Sequence, residues 1–246
     1  PATGPTVSVM HSLEGRIVMV SGANRGIGAA VARRLHDEGA RLSLGARRPD
    51  SLHDATTMDA DRVLVHAYDA SEPGSDEAWL AATIDRFGGL DALVNNAGLF
   101  EHLTLDDGDD EALDRMFAVN VKGPYRLTRL ALPALRNADH GRIVNLSSLS
   151  GVRIANDEVG YSMSKFAMSA LSHATRRFGW DDGVRVTNVC PGFVATDMAM
   201  AVGGPMDPST VIQTDDLAEL VATVLRLPDT ASVSELTVAC RYEATV

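Results

Sequence analysis

The sequence predicts a doubly wound α/β fold, in which a mostly parallel sheet of seven strands is flanked by helices. Short runs rich in β-branched and other apolar residues alternate with longer segments of helical periodicity, which is typical of repeated βαβ units. Several of the short runs are continuously apolar, as parallel strands covered on both faces require. With 246 residues, of which 45% are hydrophobic, the chain is large enough for one domain.

Seven short segments are predicted to form the strands of this sheet. In chain order they are residues 16–20, 41–45, 63–67, 90–95, 141–146, 184–190 and a last one near 235–238. The first helix is predicted over residues 27–38, where apolar residues recur at helical spacing and Gly39 can adopt the left-handed conformation that ends a helix. The acidic segment 106–111 (DDGDDE) is predicted to form a solvated loop and the first turn of a later helix, because carboxylates are favourable at the positive end of a helix dipole.

Two further segments do not follow this alternation. Residues 1–9 (PATGPTVSV) precede Met10 and are expected to be a leader or a remnant of cloning, so that residues 10–246 form the domain. Residues 193–213 follow the sixth strand and contain two glycines and two prolines, so they are expected to form a lid over a substrate.

The composition excludes several classes of function. With 33 acidic and 22 basic residues, the chain carries a formal net charge of −11 and has no basic face for nucleic acid. Two cysteines are too few for a disulfide framework, and the chain has no apolar run long enough to span a membrane, so a cytoplasmic protein is expected. The seven histidines lack the spacing of metal ligands, so no metal site is predicted.

A glycine-rich turn between the first strand and the first helix predicts a dinucleotide site. Residues 21–28 (SGANRGIG) place their glycines at the spacing G-x-x-x-G-x-G. Glycines let the backbone turn tightly and approach a pyrophosphate, which then lies at the free N–H groups and positive dipole of the helix. The sequence therefore predicts the Rossmann form of the doubly wound fold.

The end of the second strand favours NADP(H) over NAD(H). In dinucleotide folds an acidic residue at this place binds the ribose 2′-hydroxyl, whereas arginine accommodates a 2′-phosphate. Here Arg47 and Arg48 follow the strand, and the first acidic residue is Asp50. Arg25 can add another positive charge from the glycine turn.

Tyr161 and Lys165 are candidates for a catalytic acid and its partner. Four residues is about one helical turn, so the two side chains share a face of a helix. An ammonium beside a phenol favours the phenolate, so the pair can exchange a proton near neutral pH. Beside a bound dinucleotide, this pair is suited to hydride-transfer chemistry.

Several ordered motifs extend this pattern along nearly the whole chain. They are residues 21–28, Asp69, residues 95–98 (NNAG), Asn120, Ser147 with Ser148, Tyr161-x-x-x-Lys165, and Pro191-Gly192 with Thr196. Over residues 12–238 the chain therefore resembles the short-chain dehydrogenase/reductase family. It departs from the family's pattern at Ser21, where threonine is usual, although the hydroxyl group is kept.

The resemblance implies a catalytic group of four residues. Tyr161 would give a proton to the carbonyl oxygen during reduction and take it back during oxidation, while Ser148 would hold that oxygen. Lys165 would bond the nicotinamide ribose and lower the pKa of the phenol. Asn120 would anchor a water of the proton relay.

The resemblance also implies a set of residues that bind NADP(H). The matching positions are Ser21, Gly22, Asn24, Arg25, Gly26, Ile27, Gly28, Arg47, Asp69, Asn95, Ala97, Gly98, Tyr161, Lys165, Pro191, Gly192, Val194 and Thr196. Among them, Asp69 would contact the adenine, and Thr196 would contact the carboxamide. The protein would thus be an NADP(H)-dependent carbonyl reductase or alcohol dehydrogenase.

Two alternative functions stay open. A 3-oxoacyl-(acyl-carrier-protein) reductase usually carries a basic patch, and the predicted helix 114–136 contains Arg115, Lys122, Arg126, Arg129 and Arg136. A non-catalytic NADP-binding sensor would usually lack the tyrosine or the lysine, and this chain keeps both. The family also implies a homotetramer, or a homodimer, in which the helices near residues 110–132 and 160–178 pair across a two-fold interface.

The substrate is expected to be an uncharged, largely apolar ketone or aldehyde, or the matching secondary alcohol. Residues 186–225 contain neither lysine nor arginine, so the lid brings no cation to the substrate. The apolar side chains expected around the substrate are Met198, Met200 and Met206 of the lid and Leu99, Phe100, Val152 and Ile154 of the opposite wall. Arg153 opposes this expectation if its side chain turns inward.

Overall fold

A seven-stranded parallel sheet forms the centre of the computed structural model, which describes residues 10–201 and 207–242. The strands are β1 (Ile17–Ser21), β2 (Arg41–Ala46), β3 (Val63–Ala67), β4 (Ala92–Asn95), β5 (Arg142–Leu146), β6 (Arg185–Pro191) and β7 (Glu235–Val238). Their spatial order is β3-β2-β1-β4-β5-β6-β7, and every pairing between neighbours is parallel. The predicted doubly wound α/β fold is confirmed, and each strand begins and ends within two residues of its predicted bounds.

Helices cover both faces of the sheet. They are α1 (Gly26–Asp37), α2 (Ser75–Phe87), α3 (Asp110–Phe117), α4 (Gly123–Asn137), α5 (Val159–Gly179), α6 (Asp197–Ala201) and α7 (Thr214–Arg226). Short 3-10 turns at Pro49–Ser51, His53–Thr57, Leu149–Gly151 and Pro208–Thr210 complete the connections. In the described part of the chain, no helix is long and apolar enough to cross a membrane.

Each face of the sheet carries its own apolar layer, because successive residues of a strand point to opposite faces. Val18 and Val20 belong to the layer covered by α1 and α7. Met19 lies between them in β1 and belongs to the layer covered by α2 and α4. All three side chains are fully buried, which explains why β1 is continuously apolar.

Local signals in the sequence explain several helix boundaries. The acidic segment 106–111 behaves as predicted, since Asp109 caps α3 by accepting a hydrogen bond of 2.9 Å from the backbone N–H of Ala112. Helix α1 begins one residue before its predicted start. Gly39, with a φ of +88°, lies in the left-handed region just after that helix.

The prediction that Asn120 lies within one long helix is wrong in detail. Ala118–Lys122 form a single π-helical turn between α3 and α4, in which the N–H of Gly123 donates to the carbonyl of Ala118. An uninterrupted α-helix would bond the N–H of residue 124 to the carbonyl of Asn120, and Pro124 has no N–H. The π turn therefore accommodates the proline and leaves the Asn120 carbonyl without its α-helical donor.

The strand order places a crevice at the carboxyl edge of the sheet. The chain proceeds outward from β1 through β2 to β3 on one side and from β4 through β7 on the other. In doubly wound folds, ligands bind at this switch point between β1 and β4. Of the predicted segments, the leader 1–9 and residues 202–206 of the lid lie outside the described residues.

Candidate active site

A cleft of about 950 Å³ opens along the carboxyl edge of the sheet. Most of the predicted site residues line it, and these are Gly22, Asn24, Arg25, Gly26, Ile27, Arg47, Asp69, Ala97, Gly98, Ser148, Tyr161, Lys165, Pro191, Gly192, Val194 and Thr196. Four predicted residues do not line it, and these are Ser21, Gly28, Asn95 and Asn120.

The glycine turn after β1 has the conformation that a close approach to a ligand requires. Gly22 and Gly26 have φ angles of +64° and +55°, in the region that favours glycine. Helix α1 begins here without a side-chain cap and without an acidic residue in its first turn. The positive end of the α1 dipole therefore faces the cleft, and no side chain of α1 neutralises it there. This arrangement suits a pyrophosphate.

Ser21 and Gly28 support this turn from behind. The Ser21 hydroxyl accepts hydrogen bonds from the backbone N–H groups of Asn96 (2.9 Å) and Ala97 (3.0 Å), so it joins the glycine turn to the segment after β4. At Gly28, a Cβ atom would overlap the carbonyl oxygen of Gly22. A hydroxyl is needed at residue 21 and no side chain is tolerated at residue 28, although neither faces the cleft.

Asn96 rather than Asn95 presents its amide near the glycine turn. The Asn96 side chain donates to the carbonyls of Ser21 (2.9 Å) and Gly22 (3.0 Å), and it lines the cleft. The Asn95 side chain is buried and donates instead to Asn145 (2.8 Å) of β5. Asn95 was predicted to line the cleft, but the residue that lines it is Asn96, one position later.

Positive charge is concentrated where the cleft passes the end of β2. Arg47 and Arg48 are exposed and line this end of the cleft. Arg25 also lines it, and its guanidinium lies 3.3 Å from the carboxylate of Asp197 at the start of α6. Asp69 follows β3, and its carboxylate accepts bonds from the N–H (2.9 Å) and hydroxyl (2.6 Å) of Ser71.

Tyr161 lies near the N-terminus of α5 and faces Ser148, the residue that follows β5 by two positions. Ser148 shares a hydrogen bond with the phenol, and this bond lowers the pKa of Tyr161. Burial has the larger effect and raises the pKa of Tyr161 to about 12. The ring of Phe100 contacts the Tyr161 ring edge-on, with 5.2 Å between centroids. The phenol is thus held protonated and oriented toward Ser148.

Lys165 lies one turn further along α5, on the same helix face. Its ammonium donates 2.9 Å to the carbonyl of Leu146 at the end of β5 and lies 5.5 Å from the centroid of the Tyr161 ring. Burial lowers the pKa of Lys165 to about 8. The expected lowering of the phenol pKa by Lys165 is absent from this arrangement, because the ammonium bonds to Leu146 and burial controls the pKa of Tyr161.

Ser147 and Gly151 hold the loop that carries Ser148 against α5, and neither was predicted as a site residue. The Ser147 hydroxyl donates 3.1 Å to the carbonyl of Lys165. A Cβ atom at Gly151 would lie 2.5 Å from that same carbonyl oxygen and 2.6 Å from the Ser147 hydroxyl. The Ser169 hydroxyl donates 3.1 Å to the carbonyl of Gly151. Lys165 is therefore held at its side chain and at its backbone by the segment that carries Ser148.

The Asn120 amide is engaged within the protein. Its oxygen accepts from the backbone N–H of Leu99 (2.7 Å), and its nitrogen donates to the Leu99 carbonyl (2.7 Å) and to Ser164 (3.0 Å). Both amide protons are thus used. The carbonyl of Asn120, which Pro124 cannot bond, is the group of this residue suited to a water.

The substrate end of the cleft is less apolar than the sequence predicts. Leu99, Phe100 and Met198 line it, whereas Val152 and Ile154 do not, and Ile154 is 64% exposed. Met200 is also exposed, and Met206 lies outside the described residues.

Two arginines line the same end of the cleft. Arg153 follows the 3-10 turn after Ser148, and Arg241 follows β7. The guanidinium of Arg241 lies 6.0 Å from the centroid of the Phe193 ring. The two ends of the segment predicted as a lid are joined by hydrogen bonds from the N–H of Ala195 to the carbonyl of Ile212 (2.9 Å) and from the N–H of Ile212 to the carbonyl of Phe193 (3.0 Å).

No group of three or more potential metal ligands occurs in residues 10–201 and 207–242. The groups that converge in the cleft are instead a phenol, a hydroxyl and an ammonium, next to a glycine turn at a helix N-terminus. This combination serves proton transfer beside a bound nucleotide.

Comparison with known proteins agrees with this geometry. The model of the short chain dehydrogenase family matches residues 16–206. An agropine synthesis reductase of Rhizobium rhizogenes is 39% identical over 93% of this chain and 53% of that protein. The chain spans about half the length of the agropine synthesis reductases that it matches.

Two solved structures share nearly the whole architecture. The 3-ketoacyl-(acyl-carrier-protein) reductase from Brucella melitensis, complexed with NADH, has a TM-score of 0.84 at 26% identity and covers 93% of this chain and 98% of its own. The alcohol dehydrogenase from the archaeon Thermococcus sibiricus, complexed with 5-hydroxy-NADP, has a TM-score of 0.84 at 31% identity and covers 94% and 98%.

The fold and the cleft define a nucleotide-binding oxidoreductase. The chain belongs to the short-chain dehydrogenase/reductase family, as the match over residues 16–206 establishes. The resemblance inferred from the sequence motifs is therefore confirmed.

Proposed function

We propose that this protein transfers a hydride between NADP(H) and a carbonyl or secondary alcohol substrate, with Tyr161 as general acid and base. The observation that carries the proposal is the hydrogen bond between Ser148 and Tyr161, with the buried ammonium of Lys165 5.5 Å from the centroid of the Tyr161 ring. All three groups line the cleft that also contains the glycine turn.

The chain's own residues hold the substrate oxygen and move its proton. The hydroxyls of Ser148 and Tyr161 lie within hydrogen-bond distance of each other and both residues line the cleft, so they can bind one carbonyl oxygen between them. Tyr161, with a pKa of about 12, carries the proton that the oxygen takes up during reduction. The nicotinamide, when bound, supplies or accepts the hydride.

Lys165 and Asn120 supply the path by which Tyr161 regains its proton. The pKa of Lys165, lowered to about 8, brings its ammonium close to the range in which it releases a proton at physiological pH. We assign the water-binding role to the Asn120 carbonyl rather than to its amide, because both amide protons are bonded within the protein.

The cofactor is assigned as NADP(H) from the arginines beside β2. Arg47, Arg48 and Arg25 surround the place where the ribose of the adenosine would lie, and Asp50 lies beyond the strand. The pyrophosphate would lie on the first turn of α1, where the side chain of Thr196 lies close to Gly26. The two structural neighbours contain NADH and 5-hydroxy-NADP, so their cofactors alone do not decide the choice.

A reductase acting on acyl-carrier-protein substrates is the second candidate, and its support is weaker. The Brucella melitensis neighbour has that activity by name. Three of the five basic residues of the predicted patch are, however, engaged in ion pairs: Arg115 with Glu101, Arg126 with Asp76, and Arg136 with Asp182. A non-catalytic NADP-binding sensor is disfavoured because the four catalytic positions are present.

We also propose that the protein is a cytoplasmic homotetramer, or a homodimer. Its two cysteines, Cys190 and Cys240, are free, which suits a reducing compartment. On α4 and α5 the exposed apolar side chains Tyr125, Met163 and Phe166 offer a surface for pairing between copies.

A panel of ketones, aldehydes and secondary alcohols, assayed with NADPH and NADP+, tests the activity. We expect the absorbance of the nicotinamide to change only when a carbonyl or alcohol is present. NADP(H) binding without turnover of any member of the panel would favour the sensor instead.

A further inference from the structure

We propose that the substrate carries a carboxylate, bound by Arg153 and Arg241, in addition to the carbonyl that reacts. This inference rests on the proposed function and names the substrate class. It replaces the apolar substrate that the sequence of the lid favours.

The cleft is positively charged although the chain is strongly acidic. Six basic side chains line it: Arg25, Arg47, Arg48, Arg153, Lys165 and Arg241. Among residues 10–201 and 207–242, three acidic side chains line it: Asp69, Glu158 and Asp197. Charge of one sign along a cleft draws oppositely charged ligands inward, and here it does so against a net charge of −11.

Five of these six basic side chains fall into two groups on opposite sides of the strand order, and the sixth, Lys165, lies beside Tyr161. Arg25, Arg47 and Arg48 lie at the β1–β2 end, where the cofactor phosphates would lie. Arg153 follows β5 and Arg241 follows β7, so they lie on the other side of the strand order. Arg153 and Arg241 lie on the same side of the cleft as Ser148 and Tyr161. Binding of the cofactor phosphates therefore does not explain the presence of these two arginines.

Backbone contacts fix both arginines at this end. The N–H of Arg153 donates 2.9 Å to the carbonyl of Leu149, which folds the segment back beside Ser148. The N–H of Gly192 donates 2.8 Å to the carbonyl of Val238, which brings the segment after β7 alongside the base of the lid. Arg241 extends from that segment toward Phe193.

Within the part of the chain that the structure describes, Glu158 is the acidic residue at this end, and its carboxylate is bonded to other groups. Its carboxylate lies 2.6 Å from Nδ1 of His102 and accepts a 3.2 Å hydrogen bond from the N–H of Leu103. Both arginines also interact with other groups of the chain, so a substrate carboxylate would join or replace those contacts. A guanidinium matches a carboxylate in charge and in its planar pair of donors.

The test compares levulinate with levulinamide, a pair of nearly equal size in which a neutral carboxamide replaces the carboxylate, together with their next two longer homologues. Rates with NADPH are measured for the wild type, for Arg153→Gln, for Arg241→Gln and for the double variant. Arg177→Gln, which removes an exposed arginine from the last turn of α5, is the control for net charge.

We expect wild-type kcat/KM for the best carboxylate to exceed that for its amide at least about tenfold. Each arginine variant should lower this ratio, and the double variant should bring it close to one, with the rate on the amide and the melting temperature unchanged. Raising the salt concentration should weaken the preference through KM. A wild-type ratio near one, or a ratio that survives in the double variant, would overturn the proposal.

Calorimetry separates this inference from the proposed function. The hydroxy acid and hydroxy amide formed by reduction of the pair are titrated into the protein saturated with NADP+. Tighter binding of the acid, lost in the double variant, supports the carboxylate site even if no ketone is turned over. Equal binding of acid and amide contradicts it even if neutral ketones are reduced, in which case the proposed function stands without it.

Discussion

Replacing Gly151 by alanine is expected to separate the serine loop from the catalytic helix and to impair catalysis far more than folding. The added Cβ would lie 2.5 Å from the carbonyl oxygen of Lys165 and 2.6 Å from the Ser147 hydroxyl. Both neighbours belong to the contact that joins the loop after β5 to α5. One methyl group therefore acts directly on the relative position of Ser148 and Tyr161.

The size of the displacement follows from these distances. Ordinary van der Waals contact begins at 3.4 Å, so the loop and the helix must move apart by about 0.9 Å. A displacement of about 1 Å in a catalytic arrangement can cost roughly 100-fold in rate. The same overpacking costs about 1–3 kcal/mol of stability. For a chain of this size, that corresponds to a fall of roughly 2–12 °C in melting temperature.

The assay measures kcat and KM with NADPH and the best carbonyl of the panel, together with the melting temperature and NADPH affinity. Gly89→Ala is the matched control, because a Cβ there lies 3.8 Å from its nearest neighbour, the side chain of Ile17. We expect the control to keep wild-type activity. If Gly151→Ala keeps more than a third of wild-type kcat/KM, the contact does not position the catalytic residues.

Three further predictions follow from the same structure. Ala46→Asp combined with Arg47→Gln should reverse the preference for NADPH over NADH, because an acid would replace a cation beside the ribose; wild-type kcat/KM values favouring NADH would refute the assignment. Lys165→Met should abolish turnover and yet be at least as stable as the wild type at pH 7. Burying the charged lysine destabilises the folded wild type by about 3 kcal/mol, whereas its hydrogen bond to Leu146 stabilises it by only about 1 kcal/mol. The folded pKa of Lys165 is about 8 and its ordinary value is 10.5, so between these pH values the folded wild type binds fewer protons than the unfolded chain. The free energy of unfolding of the wild type should therefore rise with pH across this window. Denaturation curves should show the stability advantage of the variant disappearing over the same range. Light scattering at micromolar concentration should give the mass of a tetramer or a dimer, and a monomer would contradict the proposed assembly.

Features with short-range signals in the sequence are predictable. The strands, the glycine turn and the Tyr161–Lys165 pair each depend on spacing within one element or its neighbour. The structure places them where the sequence predicts, because hydrophobic periodicity and glycine conformations act locally.

The orientation of Asn95 depends on the register of the sheet. Asn95 pairs with Asn145 across β4 and β5, and Asn145 pairs with Asn188 across β5 and β6. The three amides thus lie side by side beneath α5, with Ser172 bonded to both Asn145 (2.8 Å) and Asn188 (3.3 Å). Because side chains alternate between the two faces along a strand, an error of one residue in a prediction assigns a buried side chain to the cleft. The sequence did contain a signal for this buried row of amides, since an asparagine recurs near the end of three successive strands.

The other site features that were not predicted depend on contacts between residues far apart in the sequence. Nothing near Arg241 in the sequence indicates that the segment after β7 returns to the lid, since that follows from the bond between Gly192 and Val238. The contact between Ser147 and the Lys165 carbonyl likewise requires the packing of α5 against β5. Such contacts join parts of the chain that local patterns treat separately.

The most direct test of the central claim is the turnover of Tyr161→Phe measured beside its affinity for NADPH. The substitution removes only the phenolic hydroxyl and keeps the ring that contacts Phe100. If Tyr161 is the general acid, kcat should fall by about 100-fold or more while the dissociation constant of NADPH and the melting temperature stay unchanged. A variant that binds NADPH normally and keeps more than about a tenth of wild-type kcat would contradict the account.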